Sequence, residues 1–378
     1  MNLKLTNLRK KIITFVNVIK LNIIIFKFKV FNPKNKVIFF YHPKKLLTFI
    51  HLNYINDLFN NFDENYLILY GHEVDKFYKK DHHFISHSFL LKWILNVDIF
   101  ISVNLSDIFT NNSKKIYIHH DISTAPLVSV KKEKELFKRL LKYDFIFAPN
   151  KASVSMFSDF FKKYNFDSNL KKPKIIETGY IKLDYLKKNI KSDRLINDSI
   201  VIAPTQYRHI ENLSMYNDII KIINNLLLQT SFNIVFRPHP ENRNAPNTSQ
   251  INKIYESNER YKFDVSENYF DVYSKSVCMI TDTSGTAFTY AFLTKKPVIF
   301  VSKNEKLLAE LGYNKLTYFK DREKIGVIVE DIDKIKNTIE NISSIEEKIK
   351  RSNDLFEKEI TYFGCSKSRI YNIIKKIV

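Results

Sequence analysis

At 378 residues the chain has room for two domains of ordinary size, and its 44% hydrophobic and 26% charged content excludes wholesale disorder, a collagen-like repeat and a coiled coil. Its two cysteines, Cys278 and Cys365, lie far apart with no paired spacing and no His partner, which excludes a disulfide framework and a zinc site and fits a reducing compartment. The net charge of +20 points to an anionic partner: nucleic acid, phospholipid headgroups or a polyanionic substrate.

Residues 1 to 50 hold eleven Lys or Arg and no Asp or Glu, the first acidic residue being Asp57, so over half of the excess charge sits at the N-terminus. The same segment carries the apolar run Ile12 to Phe26, interrupted by Asn17, Lys20 and Asn22. It is too short and too charged for a membrane span, which needs about 20 mostly apolar residues. In a helix, Lys10, Thr14, Asn17 and Lys20 form a polar stripe, with Ile12, Phe15, Ile19 and Phe26 elsewhere on the surface. Two readings stand: an interfacial helix whose lysines pair with anionic lipid at about 1 kcal/mol each, or a first helix packed on the domain. No small-residue cleavage site follows, which disfavours a cleaved signal peptide.

From residue 36 short apolar runs alternate with longer helical stretches. The strands expected in the first half are Val37 to Tyr41, Tyr66 to Tyr70, Val97 to Val103, Lys115 to His119, Phe145 to Pro149 and Ile175 to Thr178. Those in the second are Ile200 to Ala203, Asn233 to Phe236, Val277 to Thr281, Val298 to Val301 and Val327 to Val329. Such alternation predicts crossover units and parallel sheets, an α/β class. The polar stretch Lys187 to Asp198 is the natural linker. The expected organisation is a basic segment 1–31, Rossmann-like domains over 32–190 and 191–365, and a C-terminal helix 366–378.

Ligands of open parallel sheets bind beyond the carboxyl ends of strands, where several polar clusters fall. His119-His120-Asp121 ends an expected strand; a His there is placed to take a proton from a hydroxyl, with Asp121 orienting it, or belongs to polar surface. Asp81-His82-His83 with His87 reads as a surface helix rather than a metal site. Arg237-Pro238-His239-Pro240 leaves its strand through two stiffening prolines, Arg237 offering a fork for phosphate and His239 a donor or acid. Asp282-Thr283-Ser284-Gly285-Thr286 precedes a helical run, so it forms either an anion-binding corner or a plain N-cap.

Taken together, these segments resemble the CDP-glycerol glycerophosphotransferase family over roughly residues 95 to 310. The family's His-Gly-Thr-Pro is met by His119-His120-Asp121-Ile122-Ser123-Thr124-Ala125-Pro126, longer and without the Gly, so either His119 or His120 takes the place of the base. Gly-Tyr-Pro-Arg-Asn-Asp is met by Gly179-Tyr180-Ile181-Lys182-Leu183-Asp184, and Pro-Thr-x-Arg by Pro204-Thr205-Gln206-Tyr207-Arg208 with one extra residue. Arg-x-His-Pro is intact at Arg237 to Pro240, and Ser-Asp-Tyr-Ser-Ser is similar to Thr281 to Gly285. The order of the five motifs carries the resemblance.

The resemblance implies a GT-B-like fold, two Rossmann-like domains with parallel sheets facing a central cleft. It implies transfer of a polyol phosphate, glycerol phosphate foremost, from a CDP-activated donor to a hydroxyl of a polysaccharide or lipid-linked acceptor of a teichoic-acid or capsule polymer. A nucleotide-sugar glycosyltransferase is the alternative on the same architecture. Arg237, His239, Thr283, Ser284 and Thr286 would neutralise the leaving nucleotide without metal or cofactor. The basic segment would hold the enzyme, cytoplasmic, at the inner face of the membrane. No basic, aromatic-interleaved motif supports nucleic acid as partner.

Overall fold

The computed structural model describes residues 2–42, 48–72, 83–85, 88–122, 130–164, 171–189, 198–206, 213–266, 269–310, 312–341 and 346–378. The chain divides into two compact units, residues 1–120, 130–182 and 362–378 in the first and 121–129 and 183–361 in the second.

The first unit is built on seven strands: β1 (Lys36–His42), β2 (Tyr66–His72), β3 (His83–Ile85), β4 (Ile99–Ser102), β5 (Lys114–Ile118), β6 (Phe145–Ala148) and β7 (Lys174–Glu177). They pair in parallel in the order β3-β2-β1-β4-β5-β6-β7, with Ile38 opposite Ile68 on one side and Ile99 on the other. A parallel sheet is covered on both faces, so its central strands are continuous apolar runs. Val37, Ile38, Phe39 and Phe40 of β1 are accordingly all fully buried.

The second unit repeats the plan with β8 (Ser199–Ile202), β9 (Asn233–Phe236), β10 (Tyr261–Phe263), β11 (Ser276–Thr281), β12 (Val298–Val301) and β13 (Gly326–Val329), in the order β10-β9-β8-β11-β12-β13. Its core gathers Ile200, Ile202, Ile223, Phe236, Ile280 and Ile299. Each expected strand is present within a few residues. β3 and β10 were not expected: both have three residues and lie at sheet edges, where one partner and one covered face demand no apolar run. β3 also corrects the helical reading around His83, which sits in a strand; Asp81, His82 and His87 lie outside the described residues.

The linker region likewise falls largely outside the described residues, at 190–197. The C-terminal helix Ser366–Ile377 is part of the first unit. Lys367 pairs with Asp57 at 3.1 Å, Arg369 Nε donates to the Glu177 carbonyl at 2.9 Å, and Tyr371 lies edge-on to Phe62.

The N-terminal helix runs from Asn2 to Phe31, and one of its faces packs on the domain. One face is core: Val18, Leu21 and Ile25 are buried against Val37, Phe39, Leu69 and Leu91. Asn22 fastens it, donating to the Trp93 carbonyl and accepting from Leu95 N–H, each at 2.8 Å, and Lys29 pairs with Asp98. The opposite face is apolar yet exposed. Ile12, Phe15, Val16, Ile19, Ile23, Phe26 and Val30 recur at helical spacing, and Phe26 and Val30 are 63% and 60% exposed.

Gly326 opens β13 because β12 leaves no room for a side chain: a Cβ there would lie 1.9 Å from the Val298 carbonyl oxygen. Gly326→Ala is therefore expected to cost about 2 kcal/mol, as overpacking against rigid backbone does. A urea unfolding midpoint equal to that of the unsubstituted protein would contradict this.

Candidate functional site

Each sheet has a switch point where successive connections turn to opposite edges, between β1 and β4 in the first unit and between β8 and β11 in the second. Strand ends diverge there and leave a crevice, the usual ligand position in such sheets.

In the first unit this crevice is lined by histidines. His42 ends β1, and Asn104, just past β4, donates its amide to His42 Nε2 at 2.8 Å. His51, on the helix Thr48–Phe59, stacks on His42, and His120, just past β5, meets His51 edge to face. His120 Nδ1 lies 2.6 Å from the Val103 carbonyl oxygen. A carbonyl only accepts, so Nδ1 carries the proton and Nε2 the basic lone pair. The expected orienting role of Asp121 thus has a backbone counterpart in Val103; Asp121 itself is half-buried at the start of the following loop.

His119 faces a different environment. Its Nδ1 lies 3.1 Å from the Tyr117 hydroxyl and its ring packs edge-on to Phe157. Its ring lies 6.0 Å from that of His120, and of the two it is His120 that meets His51. The Gly-Tyr segment supports it: Gly179, at φ +85°, turns the chain after β7, and Tyr180 donates its hydroxyl to the His120 carbonyl at 2.8 Å. Asp184 lies in the first turn of the helix Ile181–Asn189, half-buried.

In the second unit the crevice is closed by a carboxylate. Asp282 is 1% exposed and accepts from three backbone N–H groups: Thr205 at 2.8 Å, Met215 at 3.1 Å and Thr283 at 2.8 Å. Burial pushes its carboxyl above the usual carboxylate range, and those backbone bonds oppose the rise. Asp282, expected to bind substrate, instead ties the ends of β8 and β11 together and sets Pro204 and Thr205 in place. Thr281 reinforces the join by donating to the Ala203 carbonyl.

After Asp282, Ser284 is buried, with its carbonyl accepting from the Tyr318 hydroxyl at 3.1 Å, while Thr283, Gly285 and Thr286 are half-buried. The helix Thr286–Thr294 begins there with Gly285 at its cap and no side-chain cap bond. Thr286 Oγ1 is 2.7 Å from the Tyr273 hydroxyl.

Arg237 and His239 follow β9. Arg237 Nη1 pairs with buried Asp264 and donates to Ser266 Oγ, Nη2 donates to the Ser266 carbonyl at 2.9 Å, and the guanidinium lies over Tyr269. These bonds engage the end of the fork. His239 Nδ1 accepts from the Glu241 N–H at 3.2 Å. Its proton therefore lies on Nε2, the reverse of His120, and its outer nitrogen donates. Arg208 lies outside the described residues.

Sequence reasoning missed His42, His51, Asn104 and Asp264. His42 carried a signal, a histidine at the end of an apolar strand; the others become neighbours only through the fold.

The family described as CDP-Glycerol:Poly(glycerophosphate) glycerophosphotransferase matches residues 53–376. The minor teichoic acid biosynthesis protein GgaB of Bacillus subtilis (strain 168) is 25% identical over 310 residues, 71% of this chain. The chain spans about a third (33%) of the length of GgaB. The structure of the wall teichoic acid polymerase TagF aligns with a TM-score of 0.63 at 20% identity, over 98% of this chain and 97% of that one. A TagF variant soaked with CDPG aligns at 0.62 and 19% identity, covering 99% and 98%. A Staphylococcus aureus MnaA–UDP structure aligns at 0.63 and 14% identity, covering 91% and 98%. These likenesses establish the α/β, GT-B-like fold of the two Rossmann-like units.

Asp282→Ala removes the acceptor of three backbone N–H groups and is expected to cost about 3 kcal/mol, with Asp282→Asn losing less because one oxygen remains. Denaturant unfolding of the two variants checks both the size and the order.

Proposed function

The chain belongs to the CDP-glycerol:poly(glycerophosphate) glycerophosphotransferase family, and from that premise we propose that it transfers glycerol phosphate from CDP-glycerol to a hydroxyl of a teichoic-acid-type acceptor. GgaB and TagF, both of teichoic acid synthesis, support the pathway class, and the CDPG-soaked TagF supports the donor.

The observation that carries the mechanism is the pair of opposite tautomers. His120 Nε2, basic because Val103 holds the proton on Nδ1, takes the proton of the acceptor hydroxyl. The oxygen attacks the phosphorus that bears glycerol; the new P–O bond forms as the bond to the CMP oxygen breaks. Charge then accumulates on the leaving phosphate. The Nε2–H of His239, the side edge of Arg237, the Thr283 hydroxyl and the N–H groups of Ser284, Gly285 and Thr286 neutralise it. Thr205 and Pro204, set in place by Asp282, complete the donor side, and Gly179 and Tyr180 support the base.

His120→Ala is expected to lower kcat by about 10² to 10⁴, the usual contribution of a general base. His239→Ala is expected to lower kcat/KM for the donor by about 10² to 10³, as removal of a charge-stabilising donor does. Labelled CDP-glycerol, CDP-ribitol and a panel of nucleotide sugars, offered with a lipid-linked acceptor, provide the assay. Turnover of a nucleotide sugar alone would refute the glycerol-phosphate reading.

The exposed stripe of the N-terminal helix is the second part of the proposal: a surface that rests on the anionic inner face of the membrane. No helix among the described residues is long and apolar enough to cross one. The stripe is flanked by exposed Lys20 and Lys27, and an apolar face beside cations suits the headgroup boundary. Deleting the helix would uncover the core beneath Val18, Leu21 and Ile25, so the test substitutes its outer face. Phe15→Ser, Ile19→Ser and Phe26→Ser together should weaken sedimentation with phosphatidylglycerol vesicles at least tenfold, about 1.4 kcal/mol, with unfolding unchanged. Undiminished vesicle binding would rule the surface out.

A further inference from the structure

The histidine behind the base has no part in the chemistry just derived, yet it is buried against it. His51 is 2% exposed, so it does not reach a substrate. Its Nδ1 lies 2.7 Å from the Tyr54 hydroxyl, one turn along the same helix. Its ring meets that of His120 at 68° with centroids 4.9 Å apart, and its other side stacks on His42 with centroids 5.5 Å apart. His42 is in turn tied to Asn104. A continuous chain of contacts thus runs from the end of β4 through the end of β1 to His120.

Among the described residues no three His, Cys, Asp or Glu side chains are grouped to hold a metal ion. The bonds in this group point instead to protein partners, Asn104, Tyr54 and the Val103 carbonyl.

Resting on the reading of His120 as the base, we propose that His51 is a positioning residue: its buried ring is the wall that sets the plane of the His120 imidazole. One hydrogen bond from Nδ1 to Val103 fixes the distance of the ring from the strand but lets it rotate about the N–H···O axis. A perpendicular ring at contact distance removes that rotation and aims Nε2.

The wall must also stay uncharged, because His120 becomes an imidazolium in each turnover. Burial foremost, then the proximity of His120, His42 and Lys182, holds His51 well below the ordinary histidine range. The groups facing it are His42 at the end of β1, His120 past β5, Lys182 of the helix Ile181–Asn189 and Tyr54 of its own helix. None of these is a carboxylate, so among the described residues nothing there favours a proton on His51.

The experiment compares the full chain with His51→Ala, His51→Phe, His120→Ala and the double His51→Ala/His120→Ala. It records kcat, donor KM and the nitrogen resonances of the His120 ring. His51→Ala should lower kcat about 10- to 100-fold, the scale of a small misplacement, with donor KM unchanged within about twofold. The His120 ring should then lose its single Nδ1–H signature. Phe restores a flat wall and should recover kcat to within about threefold, and the double variant should fall no further than His120→Ala.

A folded His51→Ala protein with wild-type kcat and an unaltered His120 tautomer overturns the inference. So does a Phe variant as impaired as the Ala variant, which would give the imidazole itself a chemical task. If His51→Ala does not fold, His51→Leu, which fills the space without a flat ring, takes its place with the same expected loss. Wild-type turnover in His120→Ala would remove the base assignment and this inference with it, whereas the preceding outcomes remove the inference alone.

Discussion

Both sheets are parallel, and the rest of the structure follows from that constraint. Parallel neighbours require a crossover between them, the crossovers cover both faces, and the strands become runs of Val, Ile, Leu and Phe that tolerate no polar chemistry. Reactive groups are thereby confined to the carboxyl ends, where the backbone leaves its ladder and its N–H and C=O groups need new partners. At the second switch point Asp282 supplies that partner for three N–H groups at once. At the first, Val103 C=O takes a proton-bearing nitrogen of His120.

The same backbone groups decide what the histidines can do. His120 and His239 are one residue type with one intrinsic pKa. A carbonyl opposite Nδ1 in one case and an N–H in the other leave a lone pair on the outer nitrogen of the first and a proton on that of the second. Arg237 shows the same logic with charge. Asp264 and Ser266 orient the fork and moderate its field.

The N-terminal helix combines two demands on one segment. Its inner face completes the core of the first unit, and its outer face presents apolar side chains beside lysines. The helix is therefore apolar over more of its circumference than a plain core helix requires.

The positions of the longer strands along the chain, the two-unit plan and the position of each motif at a strand end were legible in the sequence, because long apolar runs and proline or glycine exits depend on residues close in the chain. Edge strands such as β3 and β10 were not, since a three-residue strand with one neighbour leaves almost no periodic trace. The motifs announced His119, His120, Arg237, His239 and Asp282 but not the groups that their side chains meet. Those partners came only from tertiary structure. They lie 17 residues away for His120, 27 for Arg237 and 67 and 77 for Asp282, and a hydrogen bond's direction is set by the group opposite rather than by the residue that makes it.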